Sequence, residues 1–346
     1  MNNKMRRIIS AFCAVLMMMT FAACGNEVQD ETGKYIVLEF ADENIYLDEV
    51  YIYARTVIEE YEQEYGEDIW SETIKTDGGI EMDASEMARR QVIANIIQTK
   101  TLAAQAQNYG IALTVEEENE QQQKADDFYN SLTDEQIEAV GMEEETVVTV
   151  LSENALAEKV YDYVMSDTSS DISDEQARMT TFYDMFFECY YEDEFGNIVV
   201  YSADKIEEMK ELAEQAYASI EEQLVDNPEL NITFLGYIYN LEYAGSHTMS
   251  RSEIVETYGQ QVLDTLYAME DGDISEIVET EYGYHIFQMT YLTDEEATAA
   301  NKEQMTAEAE EAYFENLLSS WIEELDDDYS YSGSVNSDIY NMIEFN

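Results

Sequence analysis

Apolar residues recur with a helical period up to residue 165, and beyond residue 174 that period gives way to strand-like runs. Between them lies Ser-Asp-Thr-Ser-Ser-Asp-Ile-Ser-Asp at 166–174. Clustered polar, turn-favouring residues between two periodic stretches read as a linker, so a domain boundary is expected there. Upstream, Val50, Ala54, Val57, Ile58, Tyr61 and Tyr65 repeat at three- and four-residue spacing behind Asp48. This is the apolar stripe of an amphipathic helix. Residues 66–83 hold Gly66, Gly78 and Gly79 and read as a loop. A long helix is expected over 84–109, with Val92, Ile93, Ile96, Ile97 and Leu102 inward. Gly110 ends it as a left-handed cap. Further helices are expected at 115–130, 134–140 and 143–165, giving a helical domain over 45–170.

Past the linker the chain turns aromatic and β-favouring. Residues 180–191 (Thr-Thr-Phe-Tyr-Asp-Met-Phe-Phe-Glu-Cys-Tyr-Tyr) and 198–201 read as strands around a Phe195-Gly196-Asn197 turn. An amphipathic helix is expected over 203–225, a β-like stretch at 231–239, and one helical segment over 252–269. A hairpin turning through Tyr282-Gly283 closes the domain at 175–293. Residues 294–325 form one more amphipathic helix, whose face from Tyr313 to Leu325 needs a partner. With the tail it makes a segment, 294–346, expected to lie against the helical domain. The fold class is α+β: a mostly helical N-terminal region plus C-terminal helix, with an antiparallel-sheet and helix domain inserted between them.

The first residues carry an export signal. Lys4, Arg6 and Arg7 precede an apolar stretch over 8–21, followed by Phe21-Ala22-Ala23-Cys24. A charged start, a short apolar run and a small-residue cut site describe a removable signal peptide, here 1–23. The apolar run is shorter than the roughly 20 residues a spanning helix takes. Its cysteine resembles the bacterial lipobox, which makes Cys24 a site for a diacylglycerol and palmitate anchor, with residues 24–44 as tether and leading strand. The expected location is the extracytoplasmic face of the bacterial cell membrane.

The chain carries a formal net charge of −61. Such a charge repels phosphate backbones, so nucleic acid is excluded as a partner. Its 45% apolar and 12% aromatic content supports packed cores rather than disorder. Of three cysteines, Cys13 leaves with the signal and Cys24 is acylated, so Cys189 has no disulfide partner.

The stretch 269–287, Met-Glu-Asp-Gly-Asp-Ile-Ser-Glu-Ile-Val-Glu-Thr-Glu-Tyr-Gly-Tyr-His-Ile-Phe, resembles the end of a parvulin (PpiC-type) peptidyl-prolyl isomerase domain. Gly272 serves the turn, Ile274 packs inward, Gly283 opens the hairpin, and His285 points from the last strand into the site. Leu235-Gly236-Tyr237 looks like that family's Leu-Gly-aromatic strand. With a lipobox, a helical N-terminal region and a returning C-terminal helix, the whole layout resembles the PrsA/SurA-type extracytoplasmic foldases. The resemblance implies unfolded or newly exported client proteins as partners, rotamase activity, and no cofactor or metal.

Carried over residue by residue, it makes His285 and Tyr282 the catalytic candidates. Leu235, Tyr258 and Val262 become the substrate pocket. The family's first-strand histidine is absent: Tyr183 or Asp184 stands there, which leaves His285 without its histidine partner and implies weakened isomerase activity. His247, in a Gly-Ser-His-Thr loop, is expected to face solvent. Two further readings stand beside the isomerase. One is a non-catalytic holdase of the same family. The other is a transporter's solute-binding lipoprotein, which needs two α/β lobes where residues 45–165 are almost purely helical.

Overall fold

The computed structural model describes residues 29–75, 79–166, 168, 171–239, 241 and 244–345. The expected signal at 1–23 and its Cys24 lie outside the described residues. The chain divides into two units: Met1–Ser169 with Glu310–Asn346, and Ser170–Ala309.

The first unit opens with an antiparallel hairpin of β1 (Ile36–Phe40) and β2 (Glu43–Tyr46). Helix α1 (Leu47–Tyr65) follows. Residues 66–83 are more ordered than a loop. They hold a 3-10 turn, Glu67–Ser71, and a small ladder of β3 (Thr73–Lys75) with β4 (Glu81–Asp83). Helix α2 (Ala84–Tyr109) ends on Gly110 at φ 66° and ψ 28°, the left-handed cap its sequence asks for. Helices α3 (Val115–Ser131) and α4 (Asp134–Val140) each start on a threonine capping box. In it the Thr hydroxyl accepts from a backbone N–H three residues on, and a Glu or Gln side chain returns the favour. Helix α5 (Glu144–Ser166) completes the run. Val50, Val57, Val92, Ile93, Ile96, Ile97, Val147 and Val150 from α1, α2 and α5 form one core with the β1–β2 hairpin.

The second unit is built on a four-stranded antiparallel sheet. After the short helix α6 (Asp174–Ala177) come β5 (Met179–Glu188) and a two-stranded ribbon of β6 (Tyr190–Glu192) and β7 (Ile198–Val200). Then follow α7 (Ala203–Asp226), α8 (Thr233–Ile238), β8 (Gly245–Ser250), α9 (Arg251–Tyr258) and α10 (Gln260–Tyr267). The hairpin β9 (Val278–Thr280) and β10 (Gly283–Tyr291) closes the sheet, whose strand order is β8-β5-β10-β9. Side chains alternate across a strand, and both faces are covered. Met185, Phe187, Tyr284 and Ile286 meet Ala213, Ala216 and Ile220 of α7 and Leu235 of α8. Phe182, Phe287 and Met289 point the other way, onto Ile254 of α9 and Val262, Leu263 and Leu266 of α10.

Three expectations are corrected here. Residues 231–239 are not a strand; most of them form α8. Asn231 Oδ1 accepts from the backbone N–H and hydroxyl of Thr233 at 2.9 and 2.6 Å, starting a turn. Gln288 fixes the approach, accepting from Ile232 N–H at 2.9 Å and donating to the Leu230 carbonyl at 2.6 Å. Gly236 lies so near Tyr183 that a Cβ would stand 2.5 Å from its hydroxyl. The sheet position beside β5 is taken instead by residues 245–250, so His247 sits in strand β8 rather than a loop. The expected single helix over 252–269 breaks into α9 and α10 at Gly259, whose φ of 87° no helix accepts.

The long helix α11 (Glu295–Leu325) follows β10. Within the second unit, its start is tied to β5: Asp294 accepts from the Thr181 hydroxyl at 2.8 Å, and Thr298 Oγ1 from Met179 N–H at 3.0 Å. Its later part belongs to the first unit, where Phe314, Leu318 and Trp321 are buried against Leu102, Ala106, Ala157 and Val160. Burying each such side chain contributes about 1.5–3 kcal/mol. The tail is folded too. It forms α12 (Tyr331–Ser334) and α13 (Ser337–Tyr340), and Ile339, Tyr340, Ile343 and Phe345 enter the first core.

Candidate functional site

The site grows from the register of β5 and β10. His285 lies opposite Phe186, and Phe287 opposite Asp184, so all four side chains share the sheet face that α9 and α10 cover. On β8, His247 pairs with Phe182 and joins the same face. Gly283, at the start of β10, has φ 151°, and a Cβ there would stand 2.2 Å from the Phe187 carbonyl oxygen. Only glycine lets β10 come this close to β5, and that contact sets where His285 falls.

His285 is 3% exposed. Its Nδ1 lies 3.0 and 2.9 Å from the two oxygens of Asp184, itself 2% exposed. An ionised carboxylate only accepts, so Nδ1 carries the proton and donates it. In the neutral ring this leaves Nε2 as an acceptor, 3.1 Å from the Thr280 hydroxyl. The imidazole stacks in parallel on Phe186 at 4.3 Å and on Phe287 at 5.3 Å, and the Tyr258 ring meets it edge-on at 5.6 Å. Ring plane, ring position and tautomer are therefore all fixed. The Tyr258 hydroxyl also hydrogen-bonds to Asp184; burial, with the Asp184 charge behind it, holds this phenol well above its ordinary pKa. A buried carboxylate is tolerable only when partnered, and Asp184 has two partners.

Above this floor opens a cleft of about 890 Å³. One wall is the end of α9 and the start of α10, including Tyr258 and Gln261; the other is the β9–β10 turn with Thr280 and Tyr282. Tyr190 of the β6–β7 ribbon stands at its edge, edge-on to Tyr282 at 5.6 Å. Tyr282 is 38% exposed, and its phenol is raised by the neighbouring Glu281 charge. No grouping of three or more His, Cys, Asp or Glu suited to a metal occurs among the described residues.

His285, Tyr282 and Tyr258 thus meet in one cleft, whereas Leu235 and Val262 do not line it. Leu235 lies on the opposite sheet face, among Met185, Phe187 and Ile232. Val262 is buried beneath the cleft against Phe287 and Leu266. Two further corrections follow. His285 is not left without an orienting partner, because Asp184 takes that role. His247 is half-buried and lines the cleft, its ring 5.7 Å from Phe182 and 6.3 Å from Tyr258. Thr280, Phe186 and Tyr190 had no signal of their own in the sequence, beyond Thr280 preceding a hairpin turn three residues before Gly283.

Residues 1–131 match a SurA-like N-terminal domain, and residues 198–291 match a PPIC-type PPIASE domain. The second match begins at β7, so the strand carrying Asp184 lies before it. The chain is similar to the foldase protein PrsA of Clostridium perfringens, 24% identical over 81% of this chain and 80% of that one. It is likewise 22% identical to PrsA of Clostridium botulinum, over 82% of this chain and 83% of the relative. A crystal structure of the peptidylprolyl isomerase PrsA from Bacillus cereus aligns at 16% identity over 78% of this chain and 95% of that one, with a TM-score of 0.27, a likeness too slight to bear on the fold. A SurA-like N-terminal domain, a PPIC-type domain behind it and PrsA relatives along most of their length place the chain in the PrsA/SurA-type family of foldases with a parvulin domain.

Proposed function

We propose that this chain is a lipid-anchored foldase on the extracytoplasmic face of the membrane, and that its cleft isomerises X-Pro bonds of exported clients. The observation that carries the reading is His285, immobilised between Asp184 and Thr280 at the floor of an aromatic cleft. Prolyl isomerisation needs no nucleophile. Amide resonance sets a rotational barrier of about 18–20 kcal/mol, and the uncatalysed step takes tens to hundreds of seconds. A site lowers the barrier by holding the ring, excluding water and favouring the twisted amide through hydrogen bonds. Phe186, Tyr190, Tyr258 and Tyr282 supply ring contacts, and the His285–Thr280 pair and the Tyr282 hydroxyl supply polar ones. Leu235 and Val262 are turned away, so the prolyl ring meets aromatic faces rather than an aliphatic socket. Turnover lower than that of a parvulin with such a socket follows from that difference.

The test is exchange spectroscopy on an X-Pro peptide with the full-length chain. Faster cis–trans exchange of the peptide, seen as line broadening and lost in His285→Ala, is the expected result. Exchange indifferent to that substitution would remove the reading. The holdase reading is favoured by one observation of its own. Phe234, Tyr237 and Ile238 on α8 are exposed, as are Phe195, Ile198 and Val200 on the ribbon, and such clusters bind apolar client segments. It predicts that His285→Ala still suppresses aggregation of an unfolded client.

The anchor rests on Lys4, Arg6, Arg7 and the Ala22-Ala23-Cys24 cut site. Among the described residues no helix is long and apolar enough to cross a membrane. Radiolabelled palmitate is expected to enter the protein, and Cys24→Ala to release it from the membrane fraction. An unlabelled chain that stays membrane-bound as Cys24→Ala would end the anchor proposal.

A further inference from the structure

Both walls of the cleft carry carboxylates. Glu256 stands on the α9 wall and Glu281 on the β9–β10 wall, both exposed; Glu279, opposite Tyr284 in the register, turns its carboxylate to the other sheet face. Among the described residues that line the cleft there is no lysine or arginine. Among the described residues neither Glu256 nor Glu281 has an ion-pair partner, and Glu281 hydrogen-bonds to the Tyr282 hydroxyl. A second, independent feature points to the same kind of ligand. Tyr190, Tyr258 and Tyr282 line the cleft between those carboxylates, and an aromatic face attracts a cation within about 6 Å of its centre. Carboxylates at both rims with tyrosine rings between them make a setting for long cationic side chains, whose stems lie along rings while their heads reach the rim.

We propose that the cleft selects proline segments flanked by lysine or arginine and rejects those flanked by acidic residues, a specificity that rests on the cleft being the client site. An extended client crossing His285 passes between the two glutamate-bearing walls, so a cation on either side of the proline comes near a carboxylate. An acidic flank meets like charge there and finds no counter-ion. Each exposed pair is weak by itself, but two act on one short segment, one from either wall. The selectivity is expected at about fivefold or more in low salt and should fade as the screening length drops below about 10 Å.

Three peptides sharing an Ala-Pro core test this, with Lys, Ser or Glu on both flanks. Binding is read by chemical shifts of the full-length chain, and isomerisation by exchange spectroscopy on the peptide. The chain's charge of −61 draws any cation from a distance, so the local claim needs a matched control. One variant is Glu256→Gln/Glu281→Gln. The other is Glu207→Gln/Glu211→Gln, which removes the same charge from α7 on the opposite sheet face. The expected order is Lys over Ser over Glu, lost in the first variant and kept in the second. Equal affinity for all three peptides overturns the proposal, as does equal loss in both variants, which would assign the preference to the overall field. Isomerisation of all three peptides without preference sinks the specificity and leaves the isomerase reading standing. Selective binding with no isomerisation does the reverse.

Discussion

At residue scale the decisive position is 184. The carboxylate there accepts the hydrogen bond from His285 Nδ1–H, which keeps the proton on Nδ1 and fixes tautomer and ring orientation. Asparagine would keep the shape and lose that discrimination, since an amide both donates and accepts. Asp184→Asn is therefore expected to lower isomerisation at least about tenfold, as loss of a tautomer-fixing carboxylate does elsewhere, with little change in melting temperature. Exchange spectroscopy gives the first quantity, and imidazole nitrogen shifts show whether the ring has become a tautomer mixture. Unchanged turnover with a mixed ring would mean that orientation does not limit the reaction. The resemblance of the Gly-x-His hairpin made His285 and Tyr282 legible as residues of one site, and the short spacing between them brings both to the cleft. Asp184 could be located but not given its role, because its contact with His285 is diagonal across two strands 101 residues apart. Val262 was assigned by resemblance alone, and it stands on the side of α10 that packs into the core against Phe287 and Leu266.

Among the elements, the long helices were written in the sequence by their stripes, caps and the Gly110 stop, all of them local. Segment 231–239 was not, since Ile-Thr-Phe-Leu-Gly-Tyr-Ile favours strand and only the Gln288 clamp and the occupied sheet edge turn it into α8. Tertiary context overrides β propensity in this way. The tail is a second case. Its few apolar residues look weak, yet Arg89 of α2 donates to the carbonyls of Tyr340 at 3.0 Å and Ile343 at 2.8 Å. The same guanidinium lies 4.5 Å from the centre of the Phe345 ring, and the Tyr340 hydroxyl donates to the Arg89 carbonyl at 2.8 Å. Hydrogen bonds to a charged donor are worth about 1.5–3 kcal/mol each, and removing it orphans both acceptors. Arg89→Ala is expected to cost about 2–4 kcal/mol in denaturant melts and to speed amide exchange over 335–345. Unaltered exchange in that segment would show that its apolar contacts hold it without the clamp.

For the whole molecule the governing quantity is charge. Sixteen basic residues face 77 acidic ones, and a folded chain holds those carboxylates closer together than an unfolded one does. Self-repulsion therefore opposes folding at neutral pH, and added salt, by cutting the screening length from about 30 Å at 0.01 M to about 8 Å at 0.15 M, is expected to raise the melting temperature. Acid acts in two opposed steps. Protonating ordinary carboxylates first relieves repulsion, so stability in low salt should rise from pH 7 toward about 5. A second set of carboxylates is held low by its partners. Glu117, bonded by Lys159 and by Thr114 at its helix cap, is lowered from 4.5 to about 2, and Asp30, bonded by Thr32, Lys34 and Tyr46, from 3.8 to about 2. A folded-state pKa below the unfolded one means that stability is fully present above the unfolded value and drains away as pH falls toward the folded one. For these two groups the loss runs from about pH 4.5 down to about 2. The expected profile in low salt is a maximum near pH 5 with a fall on either side, and high salt should flatten its neutral limb while leaving the acid limb in place. Thermal melts at pH 7, 5 and 3, each at 10 mM and 500 mM sodium chloride, read both limbs. A melting temperature that drops on adding salt at pH 7 would show that attraction between neighbouring charges outweighs the repulsion of the excess.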